Sequence, residues 1–262
     1  MPFPYKKVLV LGATSGIGLA LAERIIKEGS SVIAVGRRQA NLDALVQKHG
    51  SDKVSAVQFD ITHLDKIPSF VESVTKEHPD LDFVMLNSGM QRGFDFSKPE
   101  TIDLSVLEEE FKTNYLSYIH LTTAFLPFLQ AKKSKTAIAY VSSGLALVPL
   151  VRCPNYCSSK AALHHFVMSL RYQLRNGPVK VIEIFPPAVQ TELHDAKHQP
   201  DIKNGGQIGM PLAQFTEEAF AGLLRDEDDI PVGTSVQAYK NVDVPRQKAF
   251  EAMTSAMAAS GN

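Results

Sequence analysis

The stretch Val8-Leu9-Val10-Leu11-Gly12-Ala13-Thr14-Ser15-Gly16-Ile17-Gly18, continued by Leu19-Ala20-Leu21-Ala22-Glu23-Arg24-Ile25-Ile26-Lys27, decides the fold. Four apolar residues ending at a glycine read as a short strand covered on both faces. The run after Gly18 has helical amphipathic spacing and is closed by Gly29. Between them the glycines are spaced Gly-x-x-x-Gly-x-Gly, which makes a tight turn. A strand, such a turn and a helix present backbone N–H groups and a positive helix end to a pyrophosphate, and a side chain there would obstruct the approach. A tight turn that holds no ligand satisfies the same spacing. Gly12, Ser15, Gly16, Ile17 and Gly18 are the first candidates for cofactor contact.

Outward from this unit, further apolar runs of strand length lie at Ser31–Val35, Val54–Phe59, Leu81–Leu86, Thr136–Val141 and Val179–Phe185, with a short last one at Ile230–Gly233. Helical patterns lie at about 66–77, 103–129, 156–176 and 216–224. This alternation predicts an α/β fold: a Rossmann-like, doubly wound parallel sheet with helices on both faces, in a single domain over residues 1–262. The strands end in small or polar residues, at the edge where open parallel sheets bind ligands: Gly36, Asp60, Asn87-Ser88-Gly89, Ser142-Ser143-Gly144 and Pro186–Thr191. Residues 192–215 are polar and hold Gly205-Gly206, Gly209 and Pro211, which predicts a mobile substrate lid. The tail from Met253 to Asn262 reads as frayed.

Three local patterns carry chemistry. The second strand ends in Gly36-Arg37-Arg38, where an Asp or Glu would hold the ribose 2′-hydroxyl of NAD. A carboxylate would repel a 2′-phosphate and a guanidinium fork would bind one, so NADP(H) is favoured over NAD(H). Tyr156 and Lys160 stand four apart at a helix start, so both can face one site. An ammonium beside a phenol favours the phenolate and predicts a lowered tyrosine pKa, suited to moving a proton near neutral pH. Asn114, in an otherwise apolar helical run, is either a satisfied core amide or a functional one.

Composition narrows the alternatives. The chain has 262 residues, 44% apolar and 21% charged, with 27 basic against 28 acidic residues. That balance gives no basic field for nucleic acid and no polybasic run for a membrane surface. Glu108-Glu109-Glu110 and Asp226-Glu227-Asp228-Asp229 read as solvated faces, and His164-His165 as a surface or interface pair. Cys153 and Cys157 are too few for a disulfide framework or a zinc site and read as small buried thiols. With no membrane-length apolar run and no secretory leader pattern, the expected setting is the cytoplasm.

Together these pieces resemble the short-chain dehydrogenase/reductase family, in its single-domain branch. The resemblance rests on Gly12-x-x-x-Gly16-Ile17-Gly18, Asn87-Ser88-Gly89, Ser143 thirteen residues before Tyr156, and Tyr156-x-x-x-Lys160. It runs from about Lys6 to Thr191 and more loosely to Gly233. It implies Tyr156 as acid or base, Lys160 on the nicotinamide ribose, Ser143 on the substrate oxygen, and Asn114 supporting a water relay. It places Asp60 and Ile61 at the adenine, Asn87 and Gly89 at the adenosine ribose, and Val189 and Thr191 at the nicotinamide amide. Arg37, with Arg38 in support, would carry the 2′-phosphate. Departures are Leu11 for a common Thr, Leu86-Asn87-Ser88-Gly89 for Asn-Asn-Ala-Gly, and Pro187 for a usual glycine.

The expected activity is hydride transfer between NADPH and a small to medium ketone, aldehyde or secondary alcohol, with no metal. Leu145, Leu147, Pro149, Cys153 and Leu193 would line an apolar pocket with Gln91 as a polar rim. An epimerase or dehydratase, or a non-catalytic NADP sensor or scaffold on the same fold, are the alternatives. Apolar positions beyond one stripe (Leu121, Phe125, Phe128, Phe166 and Leu170) predict a homodimer or homotetramer.

Overall fold

A computed structural model describes residues 2–260. Its strands are β1 (Lys7–Leu11), β2 (Ser31–Gly36), β3 (Val54–Gln58), β4 (Phe83–Leu86), β5 (Thr136–Val141), β6 (Val179–Phe185) and β7 (Asp229–Pro231). They form one sheet in the order β3-β2-β1-β4-β5-β6-β7, and every pairing is parallel. The strand order reverses between β1 and β4, and a crevice opens beyond their carboxyl ends, the usual ligand position in such sheets. The helices are α1 (Gly16–Lys27), α2 (Gln39–His49), α3 (Ile67–Glu77), α4 (Leu104–Phe111), α5 (Ser117–Gln130), α6 (Pro154–Leu174), α7 (Leu212–Leu224), α8 (Ser235–Ala238) and α9 (Val244–Ala259).

The two-residue period of a strand divides the core. Val8 and Val10 enter the layer beneath α1 and α7, whereas Leu9 and Leu11 enter the layer beneath α3, α5 and α6. Burial on both faces is why these strands read as unbroken apolar runs. Between α4 and α5 the chain makes one wide π turn, Lys112–Leu116, and Asn114 lies within it.

Some elements differ from expectation. Helix α2 buries only Leu42 and Leu45, too few for a periodic signal. Helix α9 buries no residue and is built from good helix formers; it carries helix to Ala259 through the supposedly frayed tail, whose last residues, Gly261 and Asn262, lie outside the described residues. The stretch 192–211 holds two short 3₁₀ turns, Glu192–His194 and Gly205–Gln207. Three of the apolar positions expected to be surplus, Leu121, Phe125 and Leu170, pack in the chain's own core, and only Phe128 and Phe166 remain partly exposed. No helix among the described residues is long and apolar enough to cross a membrane.

Candidate active site

A cleft of about 940 Å³ lies along the carboxyl ends of the strands. It gathers Gly12, Ser15, Gly16, Ile17, Arg37, Arg38, Asp60, Ile61, Asn87 and Gly89 at one end. Gln91, Ser143, Leu145, Pro149, Tyr156, Lys160, Val189, Thr191 and Leu193 line the remainder. Gly18, Asn114, Leu147 and Cys153, also expected here, do not line it.

The glycine turn explains Gly18. Gly12 has φ +84°, and a Cβ on it would lie 2.9 Å from Ser88 N. Gly16 has φ +53°, the left-handed region that favours glycine. A Cβ on Gly18 would stand 2.2 Å from Gly12 O and 2.4 Å from Asn87 Nδ2. Gly18 therefore lets α1 seat against the end of β1. Asn87 Nδ2 also donates to Gly12 O at 3.3 Å, which ties the end of β4 to the turn.

The two arginines differ. Arg38 donates to Thr14 Oγ1 at 3.0 Å and to Ser15 Oγ at 2.5 Å, and pairs with Glu192 at 2.8 Å. The Ser15 hydroxyl donates to the same Glu192 carboxylate. Burial works to raise the Glu192 pKa, but the bonds from Ser15 and Arg38 hold it below the ordinary carboxylate value. Arg37, with its side chain 70% exposed, has one distant partner, Asp60 at 3.8 Å. Asp60 is otherwise occupied by Thr62, through N at 2.9 Å and Oγ1 at 2.8 Å. Arg37 is thus the guanidinium free to meet an anion, and Arg38 fastens the turn to the segment after Thr191.

Ser143 follows β5 in extended backbone, and its Oγ accepts from Leu145 N at 3.0 Å. Helix α6 starts with Pro154 in its first turn, where no N–H is needed and φ is preset. That start places Tyr156 and Lys160 on one face, both buried. Lys160 Nζ donates to Val141 O at 2.9 Å and lies 5.8 Å from the Tyr156 ring centroid. Burial pushes the Lys160 ammonium down to about 8, against the opposing pull of Glu183 and Glu110. Burial raises the Tyr156 phenol above its ordinary value; the Ser143 hydroxyl works to lower it, and Cys153, Glu110 and Cys157 add to the rise. The expected lowering by lysine is therefore absent here, because desolvation outweighs an amine turned toward a carbonyl. A phenol in this state is a proton donor throughout the neutral range.

Behind the cleft, the Asn114 side chain is buried and hydrogen-bonded on both its oxygen and its nitrogen. Its Oδ1 accepts from Met90 N at 2.9 Å, and its Nδ2 donates to Met90 O at 2.8 Å and to Ser159 Oγ at 3.2 Å. Cys153 is fully buried, 4.0 Å from Cys157 Sγ, and takes Gln91 Nε2 at 3.6 Å. Gln91 is buried rather than a rim group, and its Oε1 accepts from Gln199 at 3.1 Å. Glu110, expected on a solvated face, is wholly buried, accepting from Arg92 N at 2.5 Å and Asn155 Nδ2 at 2.8 Å. His164 is likewise buried, while His165 is exposed.

Residues that sequence reasoning missed close the substrate end. Arg152 forms a fork on Asp201, with both bonds at 2.7 Å, and donates to Gln199 Oε1 at 2.5 Å. The loop carrying Pro187 is held by Met210, whose N donates to Ala188 O and whose O accepts from Gln190 N, each at 2.9 Å. Glu192, Gln199 and Asp201 sit in a polar stretch with no period, so only a three-dimensional arrangement reveals their partners.

The sequence pattern of the short chain dehydrogenase family matches residues 6–201. The chain belongs to that family. This short-chain dehydrogenase is 40% identical to the uncharacterized oxidoreductase DltE of Bacillus subtilis over 223 residues, 85% of this chain and 86% of that protein. It is 32% identical to the (S)-benzoin-forming benzil reductase of Saccharomyces cerevisiae over 221 residues, 81% of this chain and 82% of the relative. Among solved structures, a short-chain dehydrogenase of Sphingobium yanoikuyae in complex with NADPH superposes with a TM-score of 0.81 at 24% identity, covering 94% of this chain and 95% of that one. The family is one of oxidoreductases, and the parallel sheet with its cleft is its fold.

Proposed function

We propose that this short-chain dehydrogenase transfers hydride between NADPH and a small to medium carbonyl compound, or the corresponding secondary alcohol in reverse. The observation that carries the reading is the gathering of the Ser143 and Tyr156 hydroxyls and the Lys160 amine in one cleft with the glycine turn. The residues present suit a dinucleotide: Gly12 and Gly16 leave the turn open where side chains would crowd it, and Arg37 offers an uncommitted guanidinium.

NADPH, when bound, supplies the hydride to the carbonyl carbon. Tyr156 gives its proton to the carbonyl oxygen, and Ser143 is a second donor to the atom on which negative charge grows. Lys160 holds the nicotinamide ribose hydroxyls and, as a cation, steadies the phenolate left behind. Gly12, Ser15, Gly16 and Ile17 face the pyrophosphate, with Gly18 setting the helix against the strand. Asp60 and Ile61 meet the adenine, Asn87 and Gly89 its ribose, and Val189 and Thr191 the nicotinamide amide. Asn114 acts by holding Met90 against α6. Arg37 takes the 2′-phosphate, which favours NADP(H); Arg38 orders the turn beside it. Leu145, Pro149 and Leu193 shape an apolar substrate end, and residues 192–215 act as its lid. Gln91 is a polar group in that wall, and Cys153 supports it from behind.

The test is NADPH oxidation against a panel of ketones and aldehydes that includes benzil, with Tyr156→Phe alongside. Turnover abolished by the substitution supports the reading. NADPH binding with no turnover on any carbonyl would favour a cofactor sensor instead. A cytoplasmic setting suits the two free buried cysteines. Pairing of copies across α5 and α6, where Phe128 and Phe166 lie, with the exposed Leu116 at the end of the π turn before α5, predicts a dimer or tetramer by light scattering; a monomer at micromolar concentration would refute it.

A further inference from the structure

A buried chain of charges lies behind Lys160. His164 Nδ1 is 2.9 Å from Glu183 Oε2, and His164 Nε2 is 2.8 Å from Asp243 Oδ1. All three residues are fully buried. His164 stands one helical turn beyond Lys160 on α6, and Lys160 one turn beyond Tyr156, so the three share a face. Glu183 lies in β6, one residue before Ile184; Ile184 pairs with Val141, whose carbonyl takes the Lys160 ammonium. Asp243 closes the π turn Tyr239–Asp243 that precedes α9, and it also accepts from Arg246 at 3.2 Å and Gln247 at 2.9 Å.

With a carboxylate on each ring nitrogen, His164 donates from both, and only the imidazolium does so. The signs then alternate: Lys160 positive, Glu183 negative, His164 positive, Asp243 negative, Arg246 positive. Around Lys160 lie the Tyr118 ring on α5 at 5.6 Å and the Tyr156 ring on α6 at 5.8 Å, with His164 one turn on along α6; the carboxyl groups whose charge acts on it are Glu183 on β6 and Glu110 on α4. Glu110 already accepts from Arg92 and Asn155, and burial pushes its carboxyl up to about 7. Glu183 Oε1, by contrast, has no hydrogen-bond partner among the described residues. Farther along α6, Arg171 is committed to Asp229 at 2.8 Å. Tyr140, the strand neighbour of Glu183, is neutral and bonded to Thr122 at 2.7 Å.

We propose that Glu183 is a positioning residue for the reaction: it is the buried counter-charge to the Lys160 ammonium, and His164, gripped from outside by Asp243, holds the Glu183 carboxyl group in place. This rests on the role given to Lys160 above. A buried carboxylate without cations would take up a proton and a buried ammonium without an anion would lose one; here each stabilises the other's charge. The chain also makes the C-terminal segment part of the active site's support, since Asp243 comes from 79 residues beyond His164.

The test compares the pH dependence of NADPH binding, by fluorescence titration, in the intact protein, Glu183→Gln and Asp243→Asn. Glu183→Gln removes a buried carboxylate that lies one strand position from the partner of Val141, the residue holding Lys160, and whose field acts on that ammonium, so the pH at which affinity falls moves down by about one unit. Asp243→Asn keeps a side-chain oxygen that can accept from His164 Nε2, so Glu183 stays held; it lowers the melting temperature but moves the pH midpoint far less. A Glu183→Gln midpoint equal to that of the intact protein, or equal shifts in both variants, overturns the proposal. If Glu183→Gln does not fold, nitrogen NMR of the intact protein decides: both His164 ring nitrogens stay protonated above pH 7, whereas a neutral ring there overturns the proposal. NADPH failing to bind at any pH would count against the reading of the cleft, and the His164 measurement would still judge the charge chain alone.

Discussion

Replacing Gly18 by Ala tests whether the seating of α1 on β1 sets the cofactor turn. The added Cβ would meet Gly12 O at 2.2 Å, Asn87 Nδ2 at 2.4 Å and Gly12 C at 2.9 Å. Ordinary carbon–oxygen contact needs about 1 Å more, and two of these atoms are backbone held in the turn. The helix must lift or the turn must open. Overpacking of this kind costs about 1–3 kcal/mol, and the gain in helix propensity from Gly to Ala returns at most about 1 kcal/mol. The expected net loss is up to about 2 kcal/mol, or at most a few degrees of melting temperature for a chain of this size. Because the displaced atoms belong to the glycine turn, NADPH affinity should fall by about tenfold or more, beyond what the stability loss implies. Gly29→Ala is the control: Gly29 has φ +104° and nothing within 4 Å, so alanine there brings backbone strain without crowding. Urea denaturation followed by circular dichroism, with fluorescence titration of NADPH, reads both quantities. Wild-type affinity in Gly18→Ala, or the same affinity loss in Gly29→Ala, would refute the packing argument.

Tyr156→Phe should lower carbonyl reduction by about 10²–10⁴-fold while NADPH binding changes by a few-fold at most; an active phenylalanine variant would remove tyrosine from the chemistry. Lys160 is charged below and neutral above about 8, so kcat/KM for reduction should be flat toward pH 7 and fall as pH rises through about 8; a profile flat to pH 10 would contradict the assignment. Arg37→Ala should weaken NADPH several-fold to about tenfold and leave NADH within about twofold, the exposed guanidinium being partly screened; equal losses for both cofactors would mean Arg37 does not read the 2′-phosphate.

The sheet was legible because both faces of its central strands are buried, so Val8–Leu11 and Ala137–Val141 appear as unbroken apolar runs. Helix α2 left almost no periodic trace because only Leu42 and Leu45 reach the core. In the site, residues at strand ends were found from position: Ser143, Asn87 and Asp60 each follow a strand. What the sequence hides is commitment to distant partners. Two adjacent arginines look alike, yet Arg38 is consumed by Thr14, Ser15 and Glu192, the last 154 residues away. His164-His165 reads as a polar pair, and only folding brings Glu183 and Asp243 onto the first ring. The tyrosine pKa ran opposite to the expectation because adjacency to Lys160 says nothing of burial, and burial is the larger effect at this site.

In the proposed reaction Tyr156 protonates a carbonyl oxygen as hydride arrives from NADPH held in this cleft. NADPH deuterated at the transferring position of nicotinamide C4, incubated with the protein and an accepted carbonyl substrate such as benzil, tests it directly by mass spectrometry of the alcohol. One deuterium on the carbinol carbon is expected, with the yield lost in Tyr156→Phe. Alcohol formed without deuterium from either C4-labelled form of NADPH, or formed equally by the phenylalanine variant, would contradict it.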